Sequence, residues 1–432
     1  MSEQRRLRVA VISKADSSGG GASRVAELSV RLFARHYDVQ HFVLYSRDTK
    51  PPRYQLRHLE HLSWFERECE KASNWFGVPD HISIDWLIFI LRTRLKVDLI
   101  HCHDISSALS PLSMRLLSKA APVVWTLHDC SPFTGGCLYP MECHGYESGH
   151  ECGPCPQLGR WPLTTRTDRT GWMQRTKRVV GQTGRVFPIA PSRWMSEMAV
   201  RSGVFANEPQ LIPYYVDPTV FQPRSKEFAR REHDMPAYRF TVLLSSHSLT
   251  DSRKGFQLAA AALESIRDLN PVVLLVGHAG VEVKERLKGF DVVTSGYIND
   301  ETRLSTWYSA ADVLLIPTLA DNLPNVILET MACGTPSVAF ATGGVPDMVE
   351  HDRNGWLVPT GDIAGLAAGL RAAALQRQRW NEWRSRAVSD AREKYSPLRF
   401  MHAHARLYER LTGVPAPAIR VPAPTLPETL AA

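Results

Sequence analysis

Short runs of β-branched and other apolar residues, each followed by a longer stretch with the amphipathic spacing of a helix, recur along the whole chain. This alternation is typical of parallel β-sheets covered by helices on both faces. In the first half, the predicted strands are residues 7–13, 38–46, 97–103, 122–128 and 185–192. In the second half, they are residues 240–246, 271–277, 312–318 and 336–342. The pattern therefore predicts an α/β protein with two separate sets of strands.

The region between the two sets, residues 205–238, is interrupted by prolines and charges and predicts an interdomain linker. We expect two doubly wound, Rossmann-like domains at residues 1–208 and 209–395, and a helix at residues 396–413 that packs back on the first domain. The Pro- and Ala-rich residues 414–432 predict a disordered tail. Because ligands bind beyond the carboxyl ends of parallel strands, two such sheets that face each other would enclose a ligand-binding cleft.

Composition and charge narrow the class of protein. Hydrophobic residues make up 44% and charged residues 22% of the 432 residues, a balance typical of globular proteins. The amino end shows no apolar signal segment, and the apolar run between Asp85 and Arg92 is far shorter than the ~20 residues that span a bilayer. We therefore predict a cytoplasmic protein, with at most peripheral contact with the inner membrane face. The formal charge of +7 suits phosphate-rich ligands, but scattered Lys and Arg residues disfavour nucleic acid.

Two loops in the first half carry candidate ligand-binding residues. Gly19, Gly20 and Gly21 lie between a strand and a helix, where glycine lets a ligand approach the backbone and helix amides favour an anion. The loop lacks the spacing of a dinucleotide fingerprint or a P-loop, so a flexible turn is the alternative. His128, followed by Asp129, could donate a hydrogen bond to a sugar or phosphate oxygen. The alternative is a histidine that a backbone carbonyl satisfies.

Two loops in the second half add basic residues and glycines. Arg253 and Lys254 stand just before a helix, where two positive charges could neutralise a diphosphate without a metal ion. The alternative is a solvated helix cap. Gly343 and Gly344 follow the last predicted strand and are expected to leave room for a ligand against the backbone.

The loop and helix after the strand at 312–318 carry the acidic candidates. Asp321 and Asn322 lie in the loop, and a helix is predicted from about Pro324 to Gly334, because proline suits a first turn and glycine a C-terminal cap. Glu329 lies inside this helix. Since a carboxylate accepts two hydroxyl groups well, this pair of acids could hold sugar hydroxyls and a ribose.

Six motifs occur in the order found in one enzyme family. They are GGGASRVA, TLHD, IAPSRWM, RKGF, YSAADVLLIPT and DNLPNVILETMACGTP. The likeness extends from Leu7 to about Tyr395, and six ordered matches are far more specific than any single one. The chain resembles the family 4 retaining glycosyltransferases of the GT-B fold, of the kind found in bacterial capsule and exopolysaccharide synthesis, with a colanic-acid-like type included.

The resemblance implies a role for each matching residue. Glu329 would bind the donor ribose, Asp321 would contact the transferred sugar, and Lys254 would hold the diphosphate with help from Arg253. His128 would line the reaction centre from the first domain. Other implied contacts, with the reaction centre in the first domain or with the donor in the second, are Gly20, Gly21, Gly296, Tyr297, Ile298, Asn322 and Leu323.

The resemblance also implies the substrates and the mechanism. The donor would be a nucleotide-diphosphate sugar, the acceptor a glycan or a lipid-linked oligosaccharide, and catalysis would require no cofactor. The leaving diphosphate oxygen would assist the acceptor on the same face, while the basic residues stabilise the developing charge. Two departures from the family pattern stand out. The leading acid is Asp321 rather than the usual Glu, and Arg253 adjoins Lys254 instead of preceding it by several residues.

Two rival functions stay open at this point. A nucleotide-sugar epimerase or hydrolase of the same fold would share the donor site without using an acceptor. A catalytically inactive protein that binds sugar nucleotides is the other alternative, and the replacement of Glu by Asp321 is the feature that favours it.

Four of the eight cysteines lie within one short window, at Cys137, Cys143, Cys152 and Cys155, and the window ends in a CxxC. With no secretory signal, a disulfide framework is disfavoured and a structural zinc site becomes attractive. Reduced thiols, disulfides and an iron–sulfur cluster remain alternatives. Two nearby histidines, His144 and His150, are possible substitute ligands. Four remaining cysteines are expected to be buried as small hydrophobic residues, and these are Cys69, Cys102, Cys130 and Cys333.

Overall fold

The predicted strands of the first half form one parallel sheet. The structure is a computed structural model that describes residues 5–16, 19–45, 96–105 and 109–419, together with positions 68, 71–73, 75, 76 and 78. The strands are β1 (Arg8–Ala15), β2 (Asp38–Tyr45), β3 (Leu99–Cys102), β4 (Val123–Thr126), β5 (Val186–Ala190) and β6 (Gln210–Leu211). Their order is β2-β1-β3-β4-β5-β6, with every pair parallel. β1 is buried along almost its whole length, as expected for a parallel strand with both faces covered.

Helices follow the strands of this first sheet. They are α1 (Gly21–Phe33), α2 (Pro111–Ala120), α3 (Thr170–Gly181) and α4 (Arg193–Ser202). Two of them begin at a serine cap, because the hydroxyl of Ser110 accepts the Ser113 N–H and that of Ser192 accepts the Met195 N–H. The strands and helices share a core that includes Ile12, Ile100 and Leu117.

The second half forms another parallel sheet of the same kind. Its strands are β7 (Thr241–Ser248), β8 (Val272–His278), β9 (Asp291–Gly296), β10 (Val313–Ile316), β11 (Ser337–Phe340) and β12 (Gly355–Val358). Their order is β12-β11-β10-β7-β8-β9, again all parallel. All nine strands predicted from the sequence are thus confirmed, whereas β6, β9 and β12 were not predicted.

Eight helices belong to the second half of the chain, and the first of them precedes β7. They are α5 (Lys226–Arg231), α6 (Phe256–Glu264), α7 (Val281–Arg286), α8 (Glu301–Ala310), α9 (Asn325–Ala332), α10 (Ile363–Leu375), α11 (Arg377–Lys394) and α12 (Pro397–Thr412). Trp383 of α11 is fully buried in the second core, beside strand residues such as Leu315 and Phe340. Among the helices of the described residues, none is both long and apolar enough to cross a membrane.

The chain divides into two compact units. Within the described residues, one comprises the chain up to Pro213 with Met401–Ile419, and the other comprises Tyr214–Phe400, so the division falls inside α12. In the first unit, the hydroxyl of Tyr408 lies 2.7 Å from Nδ1 of the buried His101. Cys102, Cys130 and Cys333 are buried free thiols, as expected. The predictions made for Cys69, for Asp85 and Arg92, and for residues 420–432 lie outside the described residues.

Candidate functional site

Lys254 and Asp321 meet at the carboxyl edge of the second sheet. Lys254 belongs to a short 3₁₀ turn, Ser252–Lys254, that follows β7, and Asp321 lies in the loop that follows β10. Because β7 and β10 are neighbours in the sheet, their carboxyl ends bring these loops together. Lys254 Nζ donates to Asp321 Oδ2 at 2.5 Å, and the Asn322 N–H donates to Asp321 Oδ1 at 3.1 Å. Both carboxylate oxygens therefore have partners.

Arg253 is held beside this pair. Its Nη1 donates to the carbonyl of Ala320 at 2.7 Å and lies 3.7 Å from Asp321 Oδ2. Its Nη2 donates to Asp251 at 3.1 Å. The guanidinium is therefore held in place by both loops, and two positive charges surround the buried carboxylate of Asp321. The structure thus brings together three of the residues singled out from the sequence.

Gly255 allows the two loops to come this close. Its φ is +68°, and a Cβ added there would lie 2.0 Å from the carbonyl oxygen of Pro317. The neighbouring Leu319 N–H donates to the carbonyl of Arg253 at 2.8 Å. A side chain at position 255 would therefore separate the basic loop from the acidic one.

Helix α9 begins and ends where the sequence predicts. It starts directly after Pro324 and ends before Gly334, which has a φ of +76°. Glu329 lies in its middle and is only 7% exposed, and Asn322 and Leu323 in the preceding loop are also buried. The expectation that Glu329 accepts a hydroxyl group of the ribose stays a prediction.

The glycines after β11 lie against the loop that carries Asp321. A Cβ on Gly343 would lie 1.8 Å from the carbonyl oxygen of Asp321, and the Gly344 N–H donates to that same oxygen at 3.1 Å. The backbone of the Asp321 loop therefore fills the space that a side chain at position 343 would need. The expectation that Gly343 and Gly344 leave room for a ligand against the backbone stays a prediction.

Three rings cluster where β7, β8 and β9 end. Tyr297 stacks on His278, with ring centroids 5.3 Å apart and planes within 6°, and contacts His247 edge-on at 5.1 Å. All three side chains are exposed, while Ile298 is buried and Gly296 ends β9. Sequence analysis singled out Tyr297 but missed His247 and His278, although both stand at the carboxyl ends of strands, which was the available signal. The cluster offers flat surfaces one to three strands away from β10.

His128 in the first unit is paired with another histidine. Its Nε2 lies 3.1 Å from Nδ1 of His103, which follows the neighbouring strand β3. Burial lowers the pKa of His128 to about 3, so the ring is neutral near pH 7. Burial raises the pKa of the adjacent Asp129 to about 6, and Asp104 adds to the rise. His128 is thus neither a lone surface histidine nor one satisfied only by a carbonyl.

A cavity of about 300 Å³ opens at the carboxyl edge of the first sheet. The loops after β1, β3 and β4 contribute Gly19, Asp104 and Asp129 to its wall, and Trp125 and Trp161 add aromatic surface. Gly20 caps the start of α1, and Gly21 is the first residue of that helix. Within the described part of the first unit, this cavity has room for a small ligand.

The architecture of the two units defines a class of fold. Two doubly wound α/β units with parallel six-stranded sheets are the GT-B fold. Sucrose-phosphate synthase from Thermosynechococcus elongatus has the same fold, with a TM-score of 0.68 and 20% identity over 94% of this chain and 100% of that one. HepE from Anabaena, solved in complex with UDP, gives a TM-score of 0.66 and 17% identity over 94% of this chain and 100% of that chain. The expected cleft between the sheets stays a prediction.

Both halves of the chain match glycosyltransferase families. Residues 18–220 match the model of Glycosyltransferase Family 4, and residues 240–375 match that of Glycosyl transferases group 1. A curated relative, the D-inositol 3-phosphate glycosyltransferase of Pseudarthrobacter chlorophenolicus, is 26% identical over 288 residues. That alignment covers 64% of this chain and 62% of the relative, so the chain spans less than two thirds of the relative's length.

Proposed function

We propose that the protein is a retaining glycosyltransferase that moves a sugar from a nucleotide-diphosphate sugar to a glycan or lipid-linked oligosaccharide in surface polysaccharide synthesis. The main support is the meeting of Lys254 and Asp321 beyond the carboxyl ends of β7 and β10, the edge at which parallel sheets bind ligands. The family matches in both halves agree with this function. Because HepE is solved with UDP and with UDP-glucose, UDP-sugars are the first donors to test.

Lys254 and Arg253 would bind the donor diphosphate. In the protein without donor, the two positive charges are paired with the carboxylates of Asp321 and Asp251, so the donor phosphates would replace these ion pairs. As the donor binds, Lys254 would transfer its hydrogen bond from Asp321 to a phosphate oxygen. The freed carboxylate would then accept a hydroxyl of the transferred sugar.

The same cations would stabilise the charge that develops on the leaving diphosphate. Its oxygen would assist the acceptor on the same face of the sugar, which retains the anomeric configuration. Glu329 would hold the ribose, Tyr297 would lie at the base, and neutral His128 would bind on the acceptor side. Peripheral contact with a membrane that carries the acceptor also remains a prediction.

A donor screen and a transfer assay test this proposal. UDP-, GDP- and ADP-sugars are compared by thermal shift, because a ligand of the native state raises the melting temperature. The donor found is then incubated with and without acceptor, and NMR of the product's anomeric proton gives its configuration. We expect Glu329→Ala to abolish transfer and Lys254→Met to lower kcat/KM by about 100-fold. The control Lys284→Met, on α7, should leave transfer unchanged.

Each contrary outcome points to a different alternative. Equal consumption of the donor without acceptor would favour an epimerase or hydrolase. Donor binding without turnover for every acceptor tried would favour an inactive binding protein. A product of inverted configuration would reject retention, and full activity of Glu329→Ala would reject the site.

A further inference from the structure

Four cysteines from the segment between β4 and α3 line one small cavity. Cys137, Cys143, Cys152 and Cys155 all contribute to its wall, and its volume is about 20 Å³. That is room for about one water-sized sphere. All four are free thiols. Residues that are irregularly spaced in the sequence are therefore gathered around a single point in the first unit.

Backbone N–H groups point at the sulfur atoms of this cluster. The Gly135 N–H donates to Cys152 Sγ at 3.3 Å. The backbone N–H groups of Gln157 and Leu158 are directed at the Cys155 thiol in the same way. Because a hydrogen bond donated to sulfur favours the thiolate over the thiol, the backbone is arranged for anionic sulfur.

Cys137 is buried and the other three cysteines of the cluster are half-buried, so thiolates there need a positive charge beside them. Lys177 supplies one positive charge near Cys137 and Cys152. Its Nζ is held by the carbonyls of Ser131 at 2.7 Å and Thr134 at 3.0 Å. A metal ion bound among the sulfurs would stabilise the thiolates directly.

We propose that Cys137, Cys143, Cys152 and Cys155 form a structural zinc site with four thiolate ligands. Binding of one Zn²⁺ forms four Zn–S bonds of about 2.3 Å and releases the four thiol protons to solvent, with no change of oxidation state. Four protein ligands complete a tetrahedral shell and leave no open position, so the ion has no catalytic role. The proposal does not depend on sugar transfer.

Zinc binding has to draw the thiols inward. Within the described residues, no three His, Cys, Asp or Glu side chains are already arranged to hold a metal ion. A cysteine can turn its sulfur towards the cavity by rotation about its single side-chain bond. His144 and His150, both among the described residues, lie outside the cavity wall, and His144 Nδ1 lies 3.0 Å from Glu147 Oε1. The ligand set is therefore all cysteine.

The ion would stabilise a segment that has little regular structure of its own. Residues 127–169, all of them described, contain an isolated bridge between Arg160 and Leu163 but no helix or regular strand. The same segment contributes Leu138 and Trp161 to the wall of the 300 Å³ cavity. A zinc site would cross-link this segment and hold that wall in place.

Metal analysis of the full chain, purified under reducing conditions, tests the proposal. We expect about one Zn²⁺ per chain in the unaltered protein and a loss of more than half in Cys152→Ser and in Cys155→Ser. Cys333→Ser, which alters a buried free thiol of the second unit, is the control and should keep its zinc. Replacement of zinc by Co²⁺ should give the intense near-ultraviolet sulfur-to-cobalt absorption of a thiolate site.

A measurement on the unaltered protein covers the case in which a variant fails to fold. A zinc chelator should lower its melting temperature, and Zn²⁺ but not Mg²⁺ should restore it. Unaltered protein that lacks zinc and shows all four thiols reactive would overturn the proposal. So would thiols that become reactive only after reduction, which indicates disulfides, or iron with visible absorption, which indicates a cluster. Equal zinc content in the two variants and the control would exclude these ligands.

Discussion

The contact of Gly255 with Pro317 predicts a specific cost for one added methyl group. Gly255→Ala would place a Cβ 2.0 Å from the Pro317 carbonyl oxygen at a φ of +68°. The left-handed conformation costs an alanine about 1–2 kcal/mol, and relief of the overlap adds about 1–3 kcal/mol. We therefore expect the free energy of unfolding to fall by about 2–5 kcal/mol. The loop movement should also displace Lys254 and weaken binding of the nucleotide found in the donor screen about tenfold, or 1.4 kcal/mol.

The control for this prediction is Gly361→Ala in the same unit. Gly361 also has a positive φ, +89°, but an added Cβ would meet nothing within 4 Å. It should show the conformational cost of about 1–2 kcal/mol alone and unchanged nucleotide binding. Urea unfolding and calorimetric titration with the nucleotide found in the donor screen measure the two effects. If both variants lose the same stability and bind that nucleotide equally well, the argument that Gly255 joins the basic and acidic loops is refuted.

Two further predictions concern the first unit. The pKa of Asp129, raised to about 6 by burial and Asp104, lies above the unfolded value of about 3.9, so this carboxyl lowers stability as pH rises from about 4 to about 6. Asp129→Asn lacks this loss. Its free energy of unfolding in urea, relative to that of the unaltered protein, should therefore rise by roughly 1–3 kcal/mol between about pH 4 and pH 6 and stay constant at higher pH. Tyr408→Phe should lower the free energy of unfolding by about 1–2 kcal/mol, because the buried His101 ring loses the hydroxyl as a hydrogen-bond partner. Tyr37→Phe is the control. Calorimetry should show no loss of stability in this variant, since the buried Tyr37 hydroxyl has no hydrogen-bond partner among the described residues.

The strands that sequence analysis missed share one property. β6, β9 and β12 all lie at the edges of their sheets, where one side of the strand has no neighbour. β6 is exposed at both residues, and β9 has no fully buried residue. A strand in a sheet's interior shows a continuous apolar run because both faces are covered, whereas an edge strand does not need one. Periodicity therefore predicted every interior strand and the edge strand β2, but missed these three edge strands.

The candidate site was predictable in its residues but less so in its contacts. Arg253, Lys254 and Asp321 could be found because they follow strands, and the sheet order then brings them together. The close contact of Gly343 could not be predicted from the sequence, because it is made with the backbone of a loop more than 20 residues earlier in the chain. The contacts of His247 and His278 with Tyr297 could not be predicted for a similar reason, since they depend on the strand order β7-β8-β9.

The two departures from the family pattern meet at one atom. Asp321 has a shorter side chain than the usual Glu, and it keeps its carboxylate close to its own loop, where the Asn322 N–H holds one oxygen. The other oxygen, Oδ2, receives Lys254 at 2.5 Å and has Arg253 at 3.7 Å. An arginine several residues earlier in the sequence would enter from a different part of the loop. The adjacent position of Arg253 instead brings its charge to the shorter acid, so the two changes are better explained as one coupled rearrangement than as independent losses.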